Sequence, residues 1–345
     1  MKTSSLRYPA EWEPQKAVWL TWPHNTNEWG PRIEGIRRYY LKLMALILQY
    51  QNVNLIINRE EVPQVQGYIE GLNLTWNLTF HHFPHNDVWV RDYGVFFVEE
   101  TVGNKKKTKL QGFEFNCYGG KFPPWNLDNN IPNRMSHALN LPLNSYPIIM
   151  EGGSLEFNGS DTLLTTDQCL LNANRNPHLS RSEIESVLRE AFGVQHIIWI
   201  PKGLEGDHTD GHIDDFARFV TPNDIVLCQT DDTSNPNYPQ LKEAKEILTA
   251  WKNPVTGKSL NIHPLFLPEQ LFYNDDILPA SYANFIFVNG AVIVPIFDCP
   301  FDNKALQVLQ KILPNKKVIG IESSLLIQEG GGIHCISKQE PEIAN

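Results

Sequence analysis

Hydrophobic side chains recur through this chain at alternating steps of three and four residues, the spacing of one face of an α-helix. The pattern is clearest between residues 33 and 50, and it returns after residues 63, 180, 239 and 302. The residues predicted to face inward are Ile33, Ile36, Tyr40, Leu43, Ile47 and Tyr50; Val65, Tyr68, Ile69 and Leu72; Ile184, Val187, Leu188 and Ala191; Leu241, Ala244, Leu248 and Trp251; and Leu306, Leu309 and Leu313. Ser180 and Glu183 also have the spacing of a capping box. A weaker pattern predicts a helix around Met135–Leu139.

Short β-rich runs separate these helices. They cover residues 17–22, 53–57, 197–200, 225–228 and 285–296. Helices and strands therefore alternate, and no low-complexity linker or change of composition divides the chain. We predict a single α/β domain spanning residues 1–345.

Four pairs of β-rich runs flank turn residues and predict hairpins. The predicted hairpins are Gly94–Glu99 with Lys109–Phe115 around the lysine-rich turn Gly103–Lys107, Ser154–Phe157 with Thr162–Thr166, Phe216–Val220 with Ile225–Cys228, and Phe285–Val288 with Ala291–Pro295. The last pair is joined by Asn289-Gly290, the strongest short signal for a hairpin turn.

Compact polar motifs precede three of the hairpins. They are Arg91–Gly94, Glu151–Ser154 and Gly211–Asp214. A fourth motif of this kind, Glu329–Gly331, repeats the Glu-Gly-Gly sequence of the second motif. The fourth motif lacks a second strand because the chain ends, but Val18–Thr21 can supply one. Repeated units whose termini meet in one unit predict a propeller-like ring that gathers the motifs around one axis.

Composition narrows the compartment and the partners. The chain is 41% hydrophobic and 20% charged, with a formal net charge of −10, which disfavours nucleic acid and anionic membranes as partners and permits a cationic substrate. Five cysteines lie far apart, with no spacing typical of zinc or disulfides. The first nine residues contain no apolar segment of a signal peptide. These features predict a cytoplasmic protein.

Cys335 follows the glycine run Gly330–Gly332. Taken alone, this stretch indicates a turn and a buried, inert cysteine. The predicted ring changes that interpretation, because it brings to Cys335 four residues able to take part in covalent catalysis: Asp92, Glu151, His212 and Asp214. Carboxylates raise the pKa of a neighbouring thiol, so the set is best suited to a substrate that brings positive charge.

A guanidinium group fits these residues, because it is planar and pairs bidentately with carboxylates. Asp92 and Asp214 would hold its nitrogens while Cys335 attacks the central carbon. His212 would protonate the departing ammonia and then activate water, which releases a ureido product from the thiouronium intermediate. Glu151 would orient His212 or hold a substrate nitrogen.

Four further residues are candidates for substrate binding. Trp89 and Trp22 could form aromatic walls over the cation. Gly331 and Gly332 would leave room for the substrate beside the thiol. The neighbouring His334, on a predicted strand, should point to the face opposite Cys335.

Structural interpretations remain open for each candidate. Asp92 could pair with Arg91, Glu151-Gly152-Gly153 could be a plain turn, Asp214-Asp215 could be a solvated pair, and the tryptophans could belong to the core. A catalytically silent binding module is therefore an alternative.

A metal-dependent hydrolase is the other rival. His208 and His212 are four residues apart among aspartates, and His81, His82 or His85 could add a ligand. Gly206 and Gly211 disfavour the helix that such a pair usually needs, and a metal site would leave Cys335 without a role.

The ordered motifs resemble those of the agmatine deiminase family, which also contains the bacterial-type peptidyl-arginine deiminases. The resemblance covers most of the chain. Its motifs are Trp19–Asn25, Trp89–Gly94, Met150–Ser154, Thr209–Asp214 and Gly330–Ile336.

The resemblance implies a fold, a site and an assembly. The fold is the five-bladed α/β propeller (pentein) of guanidine-modifying enzymes, with pseudo-fivefold ββαβ repeats, and neither a metal nor an organic cofactor is expected. The implied nucleophile is Cys335, the acid and base His212, the guanidinium ligands Asp92 and Asp214, and the remaining polar group Glu151. Family members are typically homo-oligomers, often dimers.

Two positions depart from the family pattern: Gly332 stands where Asn is common, and Val95 where Pro is usual. The expected reaction is agmatine plus water giving N-carbamoylputrescine and ammonia. Free or peptidyl arginine is the alternative substrate.

Overall fold

The computed structural model describes residues 4–72 and 76–343, and its fold is mixed α/β. The helices are α1 Thr26–Trp29, α2 Ile33–Ile47, α3 Val62–Ile69, α4 Val90–Tyr93, α5 Cys117–Gly120, α6 Ile131–Leu139, α7 Asp167–Leu170, α8 Arg181–Phe192, α9 Tyr238–Ala250 and α10 Asp302–Ile312. The strands are β1 Ser4–Arg7, β2 Gln15–Thr21, β3 Asn52–Ile56, β4 Leu78–His81, β5 Phe96–Val102, β6 Lys105–Glu114, β7 Leu143–Ile149, β8 Glu156–Phe157, β9 Thr162–Thr166, β10 His196–Ile200, β11 Ala217–Phe219, β12 Asp224–Gln229, β13 Asn261–Phe266, β14 Phe272–Tyr273, β15 Asp276–Ile277, β16 Ile286–Val288, β17 Ala291–Ile296, β18 Lys317–Glu322 and β19 Ser337–Pro341. The single-domain prediction also includes residues 1–3, 73–75 and 344–345, which lie outside the described residues.

The long helices lie where the hydrophobic spacing predicts them. In α8, the Ser180 side chain accepts a hydrogen bond from the backbone N–H of Glu183, whose own side chain accepts from Ser180, so the capping box is confirmed. The prediction for α3 is wrong at two positions, because Tyr68 and Leu72 are 40% and 37% exposed. This short helix buries only Val65.

Five sheets within the described residues share one strand order. In each, two strands pair antiparallel, and a helix then leads to a third strand parallel to the second. The sheets are β5-β6-β7 with β1 added at one edge, β8-β9-β10, β11-β12-β13, β16-β17-β18, and β19-β2-β3 with β4 added at the other edge. The four predicted hairpins are confirmed by their antiparallel registers.

One hairpin turn is tighter than predicted. Lys105, Lys106 and Lys107 belong to β6 and pair with residues 100–102 of β5, so they are not part of the turn. The turn is reduced to Gly103-Asn104, and Gly103 has a φ of +64°, which suits glycine.

The two ends of the chain meet in one sheet, as predicted. Strand β19 pairs antiparallel with β2, and Ser337 lies opposite Leu20. Cys335, however, is not on a strand: residues 333–336 form a turn before β19. The strand alternation used to direct the His334 side chain away from Cys335 therefore does not apply.

The predicted polar motifs form short helical turns that contact one another. Helix α4 packs against the 3-10 turn Gly152–Ser154, which in turn contacts the 3-10 turn Ile213–Asp215. Behind these turns, α2 and the β19-β2-β3 sheet bury apolar residues such as Leu43 and Trp19, and each such burial contributes about 1.5–3 kcal/mol. Within residues 4–72 and 76–343, none of the helices has the length and apolar character needed to cross a bilayer.

Candidate active site

A cavity of about 110 Å³ opens where α4, the α5 turn and the glycine run meet. Carboxylates, aromatic rings and thiols dominate its wall. The residues that line it are Glu28, Asp87, Trp89, Asp92, Cys117, Tyr118, Phe122, His208, Thr209, Gln328, Glu329, Gly330, Gly331 and Cys335. This lining includes no lysine or arginine, so the cavity favours a cation.

The Cys335 thiol lines this cavity and is 5% exposed. The Asn284 amide donates a hydrogen bond to its sulfur at 3.2 Å, and Asp214 Oδ2 lies 4.0 Å from the same atom. Burial raises the pKa of Cys335 well above its usual value, and nearby carboxylates, Asp214 first among them, raise it further. Both effects favour the protonated thiol when no substrate is bound.

The His212 imidazole is fully buried next to this thiol's carboxylate partners. Neither ring nitrogen has a hydrogen-bond partner among the described residues, and Nδ1 lies 3.8 Å from Asp92 Oδ1. Burial, and then the charge of Arg175, lower the pKa of His212 well below its usual value. A neutral imidazole with two unpartnered nitrogens is suited to moving protons.

Asp92 lies on α4 and is held by two donors. The Tyr118 hydroxyl donates to Oδ2 and the Gly153 N–H donates to Oδ1, both at 2.8 Å. Burial raises the pKa of Asp92 to about 7, and the charge of Glu151 contributes. The structural pairing with Arg91 does not form, because that guanidinium donates instead to the carbonyl of His334.

Asp214 and Asp215 are both buried, so they are not a solvated pair. Asp214 Oδ2 lies 2.6 Å from His334 Nδ1, whereas its Oδ1 has no partner within the described part of the chain. Asp215 Oδ1 accepts a hydrogen bond from Asn284 at 2.8 Å. Burial raises the pKa of Asp214 well above its usual value, as does the charge of Asp92.

Glu151 is more than a turn residue, but its carboxylate is already paired. The Arg175 Nε donates to Glu151 Oε1 at 2.6 Å, and both side chains are fully buried. One carboxylate oxygen of Glu151, the sulfur of Cys169 and one ring nitrogen of His212 lie within 4.8 Å of one another. Glu151 is therefore close enough to act on His212, and Arg175 offsets its charge.

Two of the four further residues predicted to bind substrate line the cavity, and two do not. Trp89 and Gly331 line the cavity, and a Cβ added to Gly331 would lie 2.4 Å from the Trp89 ring. Trp22 is fully buried in the core beside Tyr40 and does not line the cavity, so the structure does not support it as a wall. Gly332 also lies off the lining, and its missing side chain leaves room for Asn284.

Sequence reasoning missed four residues that support the site: Tyr118, Arg175, Asn284 and His334. Two of them had a local signal: His334 lies in the motif Gly330–Ile336, and Tyr118 lies in a Cys-Tyr-Gly-Gly sequence that ends in two glycines. Residues 117–120 all have positive φ, with +59° at Tyr118, and this left-handed turn directs the phenol towards Asp92.

The histidine pair of the metal hypothesis does not converge. His208 lies in the cavity wall beside Phe122, and the described clusters able to hold a metal are Glu151–Cys169–His212 and Asp214–Asp215–Cys335. Neither cluster includes His208 or residues 81–85. We assign neither as a metal site, because Glu151 is paired with Arg175 and Asp214 with His334.

Cys335 and Asp92 line the cavity, whereas His212, Asp214 and Glu151 are buried off its lining. The fold and the site define a class: mixed α/β proteins that bury a thiol, an imidazole and carboxylates at or near a pocket suited to a cation. The model of the Porphyromonas-type peptidyl-arginine deiminase family matches residues 7–341. The chain belongs to this family.

Relatives with assigned activities match over nearly the full length. Agmatine deiminase of Pseudomonas syringae pv. tomato is 32% identical, over 99% of this chain and 96% of that protein. The structure of a cysteine-to-serine variant of C. jejuni agmatine deiminase with substrate bound is 32% identical, with a TM-score of 0.89 and coverage of 99% and 98%. The Enterococcus faecalis agmatine deiminase structure is 28% identical, with a TM-score of 0.90 and coverage of 98% and 96%.

Proposed function

We propose that this protein is an agmatine deiminase, which converts agmatine and water into N-carbamoylputrescine and ammonia. One observation carries the proposal: Cys335 and Asp92 line a cavity that has several carboxylates and no lysine or arginine. The full-length similarity to agmatine deiminases supports it.

The guanidinium group of the substrate lies between Asp92 and Asp214. Asp214 Oδ1, which has no partner among the described residues, is free to accept one of its N–H groups. Burial raises the pKa of both carboxyl groups. A bound cation opposes this effect, because a nearby positive charge stabilises the ionised carboxylates. The same positive charge lowers the cost of forming the Cys335 thiolate, because it offsets the carboxylates that oppose it.

Catalysis begins when the Cys335 sulfur attacks the guanidinium carbon and its proton passes to His212. His212 returns a proton to one amino group, the carbon–nitrogen bond breaks, and ammonia leaves. A thiouronium group remains on the sulfur. Water activated by His212 attacks the same carbon, the carbon–sulfur bond breaks, and the ureido product leaves. Glu151, neutralised by Arg175, orients His212 during these steps.

The other end of the cavity favours agmatine over arginine. Agmatine ends in an ammonium group alone, whereas arginine carries a carboxylate beside its ammonium group. Glu28, Asp87 and Glu329 line the cavity, and burial raises the pKa of Asp87 and of Glu329 to about 7. An ammonium group stabilises their ionised forms, and a substrate carboxylate would be repelled by them.

We also propose that the five sheets are blades of one propeller in a single domain. Their common strand order and the β19–β2 pairing between the two ends of the chain support this arrangement. The five unpaired cysteines support a cytoplasmic location. The family resemblance supports a homodimer, and the net charge of −10 supports a partner set without nucleic acid. Light scattering after size exclusion tests the dimer.

A substrate panel tests the function. Agmatine, arginine and an arginine peptide are incubated with the protein, ammonia is measured, and products are identified by mass. We expect ammonia and N-carbamoylputrescine from agmatine, no turnover in Cys335→Ala, full turnover in the control Cys299→Ala, and no effect of a chelator. Cys299 lies outside the cavity lining, so it controls for loss of a thiol. Turnover of arginine alone, or activity that survives Cys335→Ala, would contradict the proposal.

A further inference from the structure

The imidazole of His334 lies between two buried carboxyl groups next to the proposed active site. Its Nδ1 is 2.6 Å from Asp214 Oδ2 and its Nε2 is 2.8 Å from Glu11 Oε2. His334 is 2% exposed and Asp214 is fully buried. The proposed deimination steps give this histidine no part, although it contacts a residue that holds the substrate.

The number of protons in this row can be counted. Both contacts have hydrogen-bond lengths, and each bond needs one proton between its two atoms. A neutral imidazole carries one N–H, and an ionised carboxylate carries none. The row from Asp214 through His334 to Glu11 therefore holds two protons, of which a neutral His334 accounts for one.

Glu11 does not carry the second proton. Its carboxylate accepts hydrogen bonds from Arg218 at 2.7 Å and from the N–H of Phe287 at 3.0 Å, and Arg91 lies 4.0 Å away. Burial is the largest single influence and raises the pKa of Glu11, but Arg218, His334 and Arg91 together outweigh it, and the net pKa lies below its usual value. The second proton is therefore shared between Asp214 Oδ2 and His334 Nδ1.

Without substrate, the surroundings favour this proton on Asp214. Burial and then Asp92 raise the pKa of Asp214, and its net pKa lies above the usual value although Arg218 and Arg91 lower it. Burial, Arg218 and Arg91 lower the pKa of His334, and its net pKa lies below the usual value despite Glu11. A guanidinium group at Asp214 reverses the preference, because it stabilises the carboxylate. The charged and titratable groups around the pair are Glu11, Arg91 of α4, Asp92, Asp207, Asp215, Arg218 of β11, Cys335 and Lys338 of β19.

We propose that His334 is a positioning residue that takes the proton of Asp214 when a guanidinium group binds. The Asp214 Oδ2–H bond breaks and a His334 Nδ1–H bond forms, so the proton stays in the protein and the summed charge of the pair is unchanged. Asp214 then faces the substrate as a carboxylate, and the imidazolium is held between two carboxylates. This inference rests on the proposed guanidine substrate, because a neutral ligand would not drive the transfer.

The direct test is the ¹⁵N spectrum of histidine-labelled protein with and without agmatine. The Cys335→Ser variant is used so that agmatine binds without turnover. Residues 334 and 335 then form the one histidine–serine step in the chain, so ¹³C,¹⁵N-histidine together with ¹⁵N-serine identifies the His334 signals. We expect the His334 ring to change from one N–H to two when agmatine is added. A ring that stays neutral in the agmatine complex would overturn the proposal.

A second variant measures where the proton goes. In the same background, His334→Asn removes the acceptor, so agmatine binding should release one more proton to buffer than in the parent. Calorimetry in buffers of different ionisation enthalpy measures this, and affinity should fall about tenfold more for each pH unit of acidification below the pKa of Asp214. The control is His263→Asn, which removes a surface contact of 2.8 Å to Asp224 and should match the parent. Equal proton release in all three proteins would overturn the proposal.

Wild-type turnover separates this inference from the proposed function. Ammonia release from agmatine with no protonation of His334 overturns the inference alone. If the wild-type protein shows no turnover of agmatine and no binding of agmatine, the proposed function is overturned, and the inference is overturned with it. If His334→Asn does not fold, the spectrum of the labelled Cys335→Ser protein still decides the question.

Discussion

Tyr118→Phe isolates the support that the left-handed turn gives to Asp92. The substitution keeps the ring and removes the hydroxyl that donates to Asp92 Oδ2 at 2.8 Å. A hydrogen bond to a charged group contributes about 1.5–3 kcal/mol, and tenfold in rate corresponds to about 1.4 kcal/mol. We therefore expect kcat/KM for agmatine to fall roughly 10- to 100-fold.

The pH dependence gives this prediction a sign. Burial raises the pKa of Asp92 to about 7, so the carboxylate that holds the guanidinium is lost as the pH falls through that value. The Tyr118 hydroxyl favours the anion, and its removal should raise the pKa of Asp92 and move the acidic limb of kcat/KM to higher pH. Ammonia release measured between pH 5 and pH 9 (about two units on either side of the pKa) checks both effects.

Tyr39→Phe is the matched control. It removes another buried hydroxyl, which bonds Ser323 at 3.0 Å outside the cavity lining. Its kcat/KM and pH profile should stay close to those of the wild type. A Tyr118→Phe protein with wild-type kcat/KM, or an equal loss in both variants, would refute the role given to Tyr118.

Three further variants test the site. A Cβ added at Gly331 would lie 2.4 Å from the Trp89 ring, so Gly331→Ala should raise the KM for agmatine about 5- to 100-fold. The control Gly67→Ala, whose added Cβ meets no atom within 4 Å, should leave the KM unchanged. Equal KM values in the two variants would contradict this prediction. Asp92→Asn should abolish turnover. It should also raise the free energy of unfolding at pH 8 by on the order of 1 kcal/mol, because ionising a buried carboxyl group whose pKa is raised costs stability above that pKa. Urea unfolding that shows no gain in stability at pH 8 would contradict this. Glu329→Gln removes one carboxylate from the cavity wall and frees Arg32 from its ion pair, so the ratio of agmatine turnover to arginine turnover should fall about tenfold. An unchanged ratio would argue against recognition of the substrate's far end by charge.

The sequence was most informative where chemistry and local geometry coincide. Asp92, Glu151, His212 and Asp214 each lie in a short polar motif before a hairpin, and the repeated hairpins predict that these motifs converge. The turns that carry them do contact one another. Strand pairing between the chain ends followed from the same logic, and the structure confirms it.

The supporting residues depend on contacts that no local pattern encodes. Glu11 and His334 are 323 positions apart in the chain, and Asp214 and His334 are 120 apart. Arg175 has no motif around it, although it supplies the charge opposite Glu151. The prediction for the His334 side chain failed because a turn replaces the expected strand.

The covalent role of Cys335 is the central claim, and a rapid acid quench of the protein turning over agmatine tests it most directly. Peptide mass analysis should find the mass of agmatine less ammonia on the peptide that contains Cys335, and on none of the peptides with the other four cysteines. Steady turnover with no adduct on that peptide, together with activity that survives Cys335→Ala, would contradict the account.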